Sequence, residues 1–374
     1  MKSKPVSVTA SAVGAFLIAL TNPASAIDYR AVGLVTDSQS ANPAQLTDPG
    51  LTNAWGLSYA PTGPFWISAN GSGTSQLYSV DPASQATTKV PLTVTIPGAG
   101  NVTGQVFNSQ SSGNFNGNAF LFVSEDGTVS GWRGALGSTA ETLAVASPAN
   151  LYKGAAYASI GSSAYLYAAN FGTGAVDVIK GSAASQNLAG SFSDPNLPSG
   201  YAPFNVQNLG GSLYVTYAKQ QPNSADEMAG PGLGIVDRFD LQGQLINRVA
   251  TGGPLNAPWG LAIAPSSFGS LAGDLLVGNF GDGRINAYDL QTHSFAGQIA
   301  GAGGSPLSID GLWALAVGND GKAGSSLSLY FTAGPGDEAH GLFGVLAPVP
   351  EPGTVAMLVM GLAVVVARAR QRRA

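Results

Sequence analysis

A pattern that returns about every 50 residues is the feature that most limits what this chain can become, because a fixed period in that range belongs to propellers, solenoids or arrays. Asn53-Ala54-Trp55-Gly56-Leu57-Ser58-Tyr59-Ala60-Pro61 returns as Asn256-Ala257-Pro258-Trp259-Gly260-Leu261-Ala262-Ile263-Ala264-Pro265. Weaker copies are Lys153-Gly154-Ala155, Phe204-Asn205-Val206 and Leu312-Trp313-Ala314-Leu315, with a degenerate one at Gly104-Gln105-Val106-Phe107. A second motif follows each first one: Ala69-Asn70-Gly71, Glu125-Asp126-Gly127, Ala169-Asn170-Phe171-Gly172 and Gly278-Asn279-Phe280-Gly281. There an apolar strand enters a turn whose positive φ is supplied by Gly or Asn and leaves as alternating residues, so each unit holds about four short strands.

Anchors near 55, 105, 153, 204, 259 and 313 give six units, each too small to bury its own faces unless its neighbours stack on it. The expected fold is all-β, a six-bladed β-propeller over residues 27–347, with seven blades as the alternative because the second unit is degenerate and Gln221 to Gly232 interrupt the fourth. Radial closure removes exposed strand edges, and Tyr29 to Thr36 are expected to pair beside Gly341 to Ala347 in the last blade. The interruption itself is expected as an exposed loop.

Composition agrees with an exported β protein. The chain has 51 glycines and no cysteine, so neither disulfides nor thiolates contribute, and stability must come from burial. Six of the 16 lysines and arginines lie in the two end segments, which leaves 10 against 21 acidic residues and a net charge of −11 for residues 27–352. No concentrated basic patch is present, which argues against a nucleic-acid partner.

Chemistry-bearing residues are few. With two histidines, His293 and His340, and no Gly-x-Ser-x-Gly elbow, a Ser-His-Asp hydrolase has little to be built from, and no catalytic residue is assigned. His293 is expected in an outer turn, and His340 in a hairpin joining the last strands. Asn70, Asn170 and Asn279 share one repeated slot with Asp126, where turn formation explains them better than ligation. Asn205 and Asp310 lie near the start of the innermost strands of their units, where channel-lining groups belong, and are the candidate metal ligands, for Ca2+. Asp48 is the one acidic residue of the closing segment close before Trp55. Trp55, Trp259 and Trp313 share a slot and are expected as packing between blades, whereas Trp66 and Trp132, outside it, are candidates for exposure.

The repeat is similar to that of the NHL and gluconolactonase-type six-bladed propellers at fold level. The gluconolactonase resemblance implies the alternative function, a Ca2+-dependent hydrolase or lactonase acting through the channel. The early acidic metal ligand of those enzymes is matched here by nothing but Asp48.

The two ends carry addresses. Lys2 and Lys4 precede an apolar stretch from Val13 to Leu20 and an Ala24-Ser25-Ala26 cleavage site, so residues 1–26 are expected to be a signal peptide cut after Ala26. At the other end Val349-Pro350-Glu351-Pro352 precedes an apolar run from Thr354 to Ala367 and four arginines. That run is shorter than the roughly 20 residues that comfortably span a bilayer, and reads as a short apolar sorting helix making transient inner-membrane contact. Residues 348–374 resemble the PEP-CTERM sorting signal. Together with the Asn-Ala-Trp-Gly-Leu and Asn-Phe-Gly motifs, they resemble a family of uncharacterised PEP-CTERM-associated β-propellers. The resemblance implies export across the inner membrane, processing by an exosortase, a cell-surface or extracellular destination, and association with extracellular polysaccharide. The expected function is a binding or scaffold module without a cofactor.

Overall fold

The computed structural model describes residues 27–349 apart from Gly100 and Ala146. Ala24, Ala26, Pro350, Glu351 and Pro352 therefore lie outside the described residues. Six sheets, antiparallel apart from one short parallel edge strand, follow one another in sequence among the described residues and make six blades. The innermost strands are Ala54–Ser58, Val102–Phe107, Tyr152–Ile160, Tyr201–Leu209, Pro258–Ile263 and Leu312–Val317.

The first motif explains how the blades meet. In all six, the innermost strand slips register with its neighbour at the Trp-Gly slot, between Ala54 and Leu57, Val102 and Gln105, Tyr152 and Gly154, Pro203 and Asn205, Pro258 and Gly260, and Leu312 and Leu315. A bulge bends a strand and re-aims its side chains. The residue after the anchor is Gly in four blades and Ala in a fifth, with Asn205 in blade four, and at Gly56 the next blade's backbone passes against it: a Cβ there would stand 2.3 Å from the Thr103 carbonyl.

Closure occurs as the sequence implies. Residues Tyr29–Thr36 run antiparallel to Leu342–Pro348, from Tyr29 opposite Pro348 to Thr36 opposite Leu342, and complete the sixth blade. The short strand Ala44–Thr47 adds outside them in parallel. Asp48 then ties this closing segment to blade one, accepting from the Tyr78 hydroxyl at 2.5 Å and pairing with Lys89 at 2.7 Å. The Val349 N–H donates to the Asp28 carbonyl, so the first residue of the Val-Pro-Glu-Pro motif is still fastened to the propeller.

The core is segmented. One apolar cluster fills each of the six seams between neighbouring blades, as Trp66, Leu77, Val94, Phe120 and Phe122 do between blades one and two, and a seventh sits on the axis. Each seam buries what a lone blade would expose, which is why the repeat must close to be stable.

Three features depart from the expectations. Trp66 is 4% exposed and stacks on Phe120 at 3.9 Å, filling the first seam instead of facing water. Blade three has three strands among the described residues instead of four. The interruption in blade four folds back, with Glu227–Met228 pairing with Lys219 and Gln220, so it is partly docked and not simply an exposed loop.

Candidate functional site

All six innermost strands line one cavity of about 430 Å3 on the propeller axis, open at the face where those strands end. Its wall includes Ser58, Tyr59, Gln105, Tyr157, Gln207, Asn208 and Ala316. Tyrosine is the one ionisable residue type in this lining. The Tyr59 hydroxyl donates to the Val317 carbonyl at 2.7 Å, and the Asn208 amide donates to the Tyr157 carbonyl at 3.0 Å. The Ser58 hydroxyl is buried without a hydrogen-bond partner among the described residues. The volume falls within the roughly 300–1,000 Å3 usual for small-molecule sites.

An aromatic plug closes the cavity on the other side. Trp55 and Trp313 stack at 3.6 Å, Phe280 stacks on Trp313 at 4.1 Å, and Trp259 meets Trp313 edge-on at 5.9 Å. Two indoles of the plug are tied by hydrogen bonds: Trp313 Nε1 donates to Asn53 Oδ1 and Trp259 Nε1 to the Lys153 carbonyl.

Above the plug, where the innermost strands begin, lies a charged mouth. Lys153 occupies the anchor slot of the third unit, where four other units place Trp or Phe and the second places Thr103. Its side chain is 4% exposed, its Nζ is 2.7 Å from Glu125 Oε1, and the ammonium stands 5.3 Å from the centre of the Trp55 ring. A hydrogen-bonded chain leads there from blade one: Asn53 Nδ2 donates to Asn70 Oδ1, and Asn70 Nδ2 to Glu125 Oε2.

Two more carboxylates face Lys153, Glu227 from the folded-back segment of blade four and Glu338 from the turn between the second and third strands of blade six. Burial pushes the Glu338 carboxyl up to about 7, with Glu227, Glu125 and Asp226 adding to the rise and Lys153 opposing it. Glu227 is raised by burial in the same way. For Lys153, burial favours the neutral amine, but the carboxylates of Glu125, Glu227 and Glu338 outweigh it and hold the group above the usual lysine range. Asp337 and Glu338 adopt φ of 53° and 64°, left-handed values uncommon outside glycine.

The sequence-predicted residues are placed as follows. Asn205 is 1% exposed and occupied within the wall, donating to the Trp259 carbonyl at 2.9 Å and accepting from the Val206 N–H at 2.8 Å. Asp310 is exposed in the loop before the innermost strand of blade six and accepts from the Gly336 N–H. No hydrogen bond joins Asn205 to Asp310, and among the described residues no group of three or more His, Asp or Glu is placed to hold a metal. Asn170 and Asn279 are fully buried turn residues: Asn170 accepts from the Leu151 and Thr173 N–H groups, and Asn279 donates to the Pro254 carbonyl. Asp126 caps its own turn through Thr128, and its neighbour Glu125 is the residue that reaches the mouth. His293 is exposed, its ring 3.2 Å from the Asn247 amide, and His340 meets Asp37 at 3.1 Å. Sequence reasoning missed the Lys153 mouth; the available signal was a lysine standing in an aromatic slot.

Residues 348–373 match the model of the PEP-CTERM protein-sorting motif. Over 327 residues the chain is 31% identical to uncharacterized protein R648 of Acanthamoeba polyphaga mimivirus, covering 82% of this chain and 78% of that protein. A second mimivirus protein, L690, is 39% identical over 158 residues, 41% of this chain and 40% of that one. Among solved structures, virginiamycin B lyase from Staphylococcus aureus superposes with a TM-score of 0.47 at 11% identity, covering 86% of this chain and all of that one. Periplasmic gluconolactonase PpgL of Pseudomonas aeruginosa gives 0.40 at 17% identity, covering 67% and 86%.

Proposed function

Because the chain belongs to the family of mimivirus protein R648 and ends in a PEP-CTERM motif that marks an exported protein, we propose that it is an exported, non-catalytic binding module. Its ligand is a neutral saccharide held in the axial cavity. The observation that carries this reading is the cavity wall, which all six blades supply and which offers hydroxyl, amide and tyrosine groups but no carboxylate, histidine or lysine. Such a wall, with the amides of Gln207 and Asn208 and the phenol of Tyr157 among its polar groups, suits hydroxyl-rich neutral ligands. General acid–base catalysis is best served by a group that titrates near the working pH, whereas the wall's titratable type is tyrosine, with Tyr59 pushed up to about 12 by burial; a Ca2+ site needs several converging oxygen ligands. Export begins with cleavage after Ala26, and an exosortase-type enzyme cuts at the Val349-Pro350-Glu351-Pro352 motif, delivering the propeller to the extracellular polysaccharide.

Titration calorimetry of residues 27–349 with neutral oligosaccharides prepared from the producing cells' extracellular polysaccharide tests the ligand. Binding should weaken at least about tenfold, roughly 1.4 kcal/mol, in Ala316→Trp, whose indole would enter the cavity while the melting temperature is unchanged. Equal binding by wild type and Ala316→Trp would remove the cavity from the reading, and absence of binding to any neutral saccharide would remove the ligand class. A bound ion stabilises the native state by mass action, so millimolar Ca2+ and excess EDTA should give the same melting temperature. A saturable Ca2+ shift lost in both Asn205→Ala and Asp310→Ala would restore the metal-dependent alternative.

A further inference from the structure

Blade three lacks a fourth strand among the described residues, and the connector 181–200 stands in its place. This connector docks on the outer turn of blade four: the Gly190 N–H donates to the Gln242 carbonyl and the Phe192 N–H to that of Gly243. Phe192 is 5% exposed and packs on Tyr167 and Phe239. A Cβ on Gly190 would stand 2.3 Å from the Gly243 carbonyl carbon, so the close approach depends on glycine.

A charge triad of two buried carboxylates and one partly exposed guanidinium joins the connector to the blade. Arg248 Nε donates to Asp237 Oδ1 at 2.9 Å, and the same guanidinium pairs through its terminal nitrogen with Asp194 of the connector. The side chains of Asp194 and Asp237 are 3% and 0% exposed. Two carboxylates thus share one cation away from water. Two further polar atoms are stranded beside them, Asp237 Oδ2 and the hydroxyl of Tyr217, whose backbone pairs with Ile235 two residues from Asp237. The charged or titratable groups facing Asp237 from the packed elements are Arg248, Asp194 and Tyr217.

We propose that Asp194, Asp237 and Arg248 form a pH-sensitive latch, in which one proton shared by the two carboxyls holds connector 181–200 against blade four and its loss releases the connector. With the proton present, one carboxylate faces one guanidinium and the pair is neutral. Without it, a second negative charge is buried in a place that cannot solvate it. Burial, reinforced by Asp194 and opposed by Arg248, pushes the Asp237 carboxyl up to about 6. The folded value lies above that of the unfolded chain, so the stabilisation is complete below about pH 4 and is lost as the pH rises through about 6.

Hydrogen exchange of the full propeller, residues 27–349, tests the latch at the amides of Gly190 and Phe192. After correction for the intrinsic pH dependence of exchange, their opening should rise up to roughly 100-fold between pH 4 and pH 7, the factor set by the rise of the closed Asp237 carboxyl to about 6 from its ordinary range of about 4. Asp237→Asn should flatten this response, and Asp194→Asn should do so independently if the first variant folds poorly. Amides of blade one should not share the change. A flat wild-type profile, an unchanged rise in either variant, or an equal rise throughout the protein would overturn the latch.

Discussion

Removal of residues 27–36 should leave a chain with no cooperative thermal transition, and a peptide spanning residues 27–38 added in trans should restore one. The strand Tyr29–Thr36 is the outer partner of Leu342–Pro348 in blade six, and Tyr29, Leu34 and Val35 are at most 4% exposed. Burying an apolar side chain of this size contributes about 1.5–3 kcal/mol, so three contribute about 6 kcal/mol before the ladder hydrogen bonds are counted. That is comparable to the whole stability of a typical domain, about 5–15 kcal/mol. The remaining sheet would also present an unpaired edge, which invites aggregation. Calorimetry of the truncated protein decides the matter. A transition within a few degrees of the intact propeller would show that closure does not depend on this strand.

Lys153→Met should destabilise the propeller by about 3–5 kcal/mol, the cost of leaving a buried charge without its partner, and lower the melting temperature by about 10 °C. Glu125 would lose its 2.7 Å ion pair while Glu227 and Glu338 lost the one cation they share with it. Adding Glu125→Gln should recover much of the loss, because the double variant removes both members of the pair. Glu227 and Glu338 are already raised, Glu338 to about 7. The deficit of Lys153→Met should therefore be smaller at pH 5, where protonated carboxyls need no cation, than at pH 8. Urea denaturation at the two pH values measures this, and an equal deficit at both, or none, would mean that the lysine acts through its aliphatic chain alone.

The propeller was legible because its determinants are local and repeated. Trp-Gly and Asn-Phe-Gly motifs at a 50-residue period specify bulged inner strands and tight turns wherever they occur, and a repeat that cannot bury its own faces must stack and close. The pairing of Tyr29 to Thr36 with the last strand follows from the same need. Trp66 was harder to place because it lies outside the repeated slot: its position on the second strand of blade one says nothing of Phe120, which covers it from the next blade.

The channel chemistry was not legible in the same way. Asn205 and Asp310 are plausible oxygen ligands in a linear reading, but the neighbouring blade takes the Asn205 amide for the Trp259 carbonyl, and Asp310 is left at the surface. Glu125, Glu227 and Glu338 belong to three different blades and are more than 100 residues apart in turn, so no spacing rule links them. Their common feature is a place at the same end of the channel, Glu125 and Glu338 in turns and Glu227 in the folded-back strand of blade four.

By itself the sequence determined the number and kind of repeating units, the manner of closure and the address at the C-terminus, all encoded in short contiguous stretches. The tertiary structure alone decided which side chains share the axis: a neutral cavity at one end, an aromatic plug, and a lysine among glutamates at the other. Radial closure brings residues from every blade to the same few ångströms, so the charge and burial of each is set by neighbours that are distant in the chain.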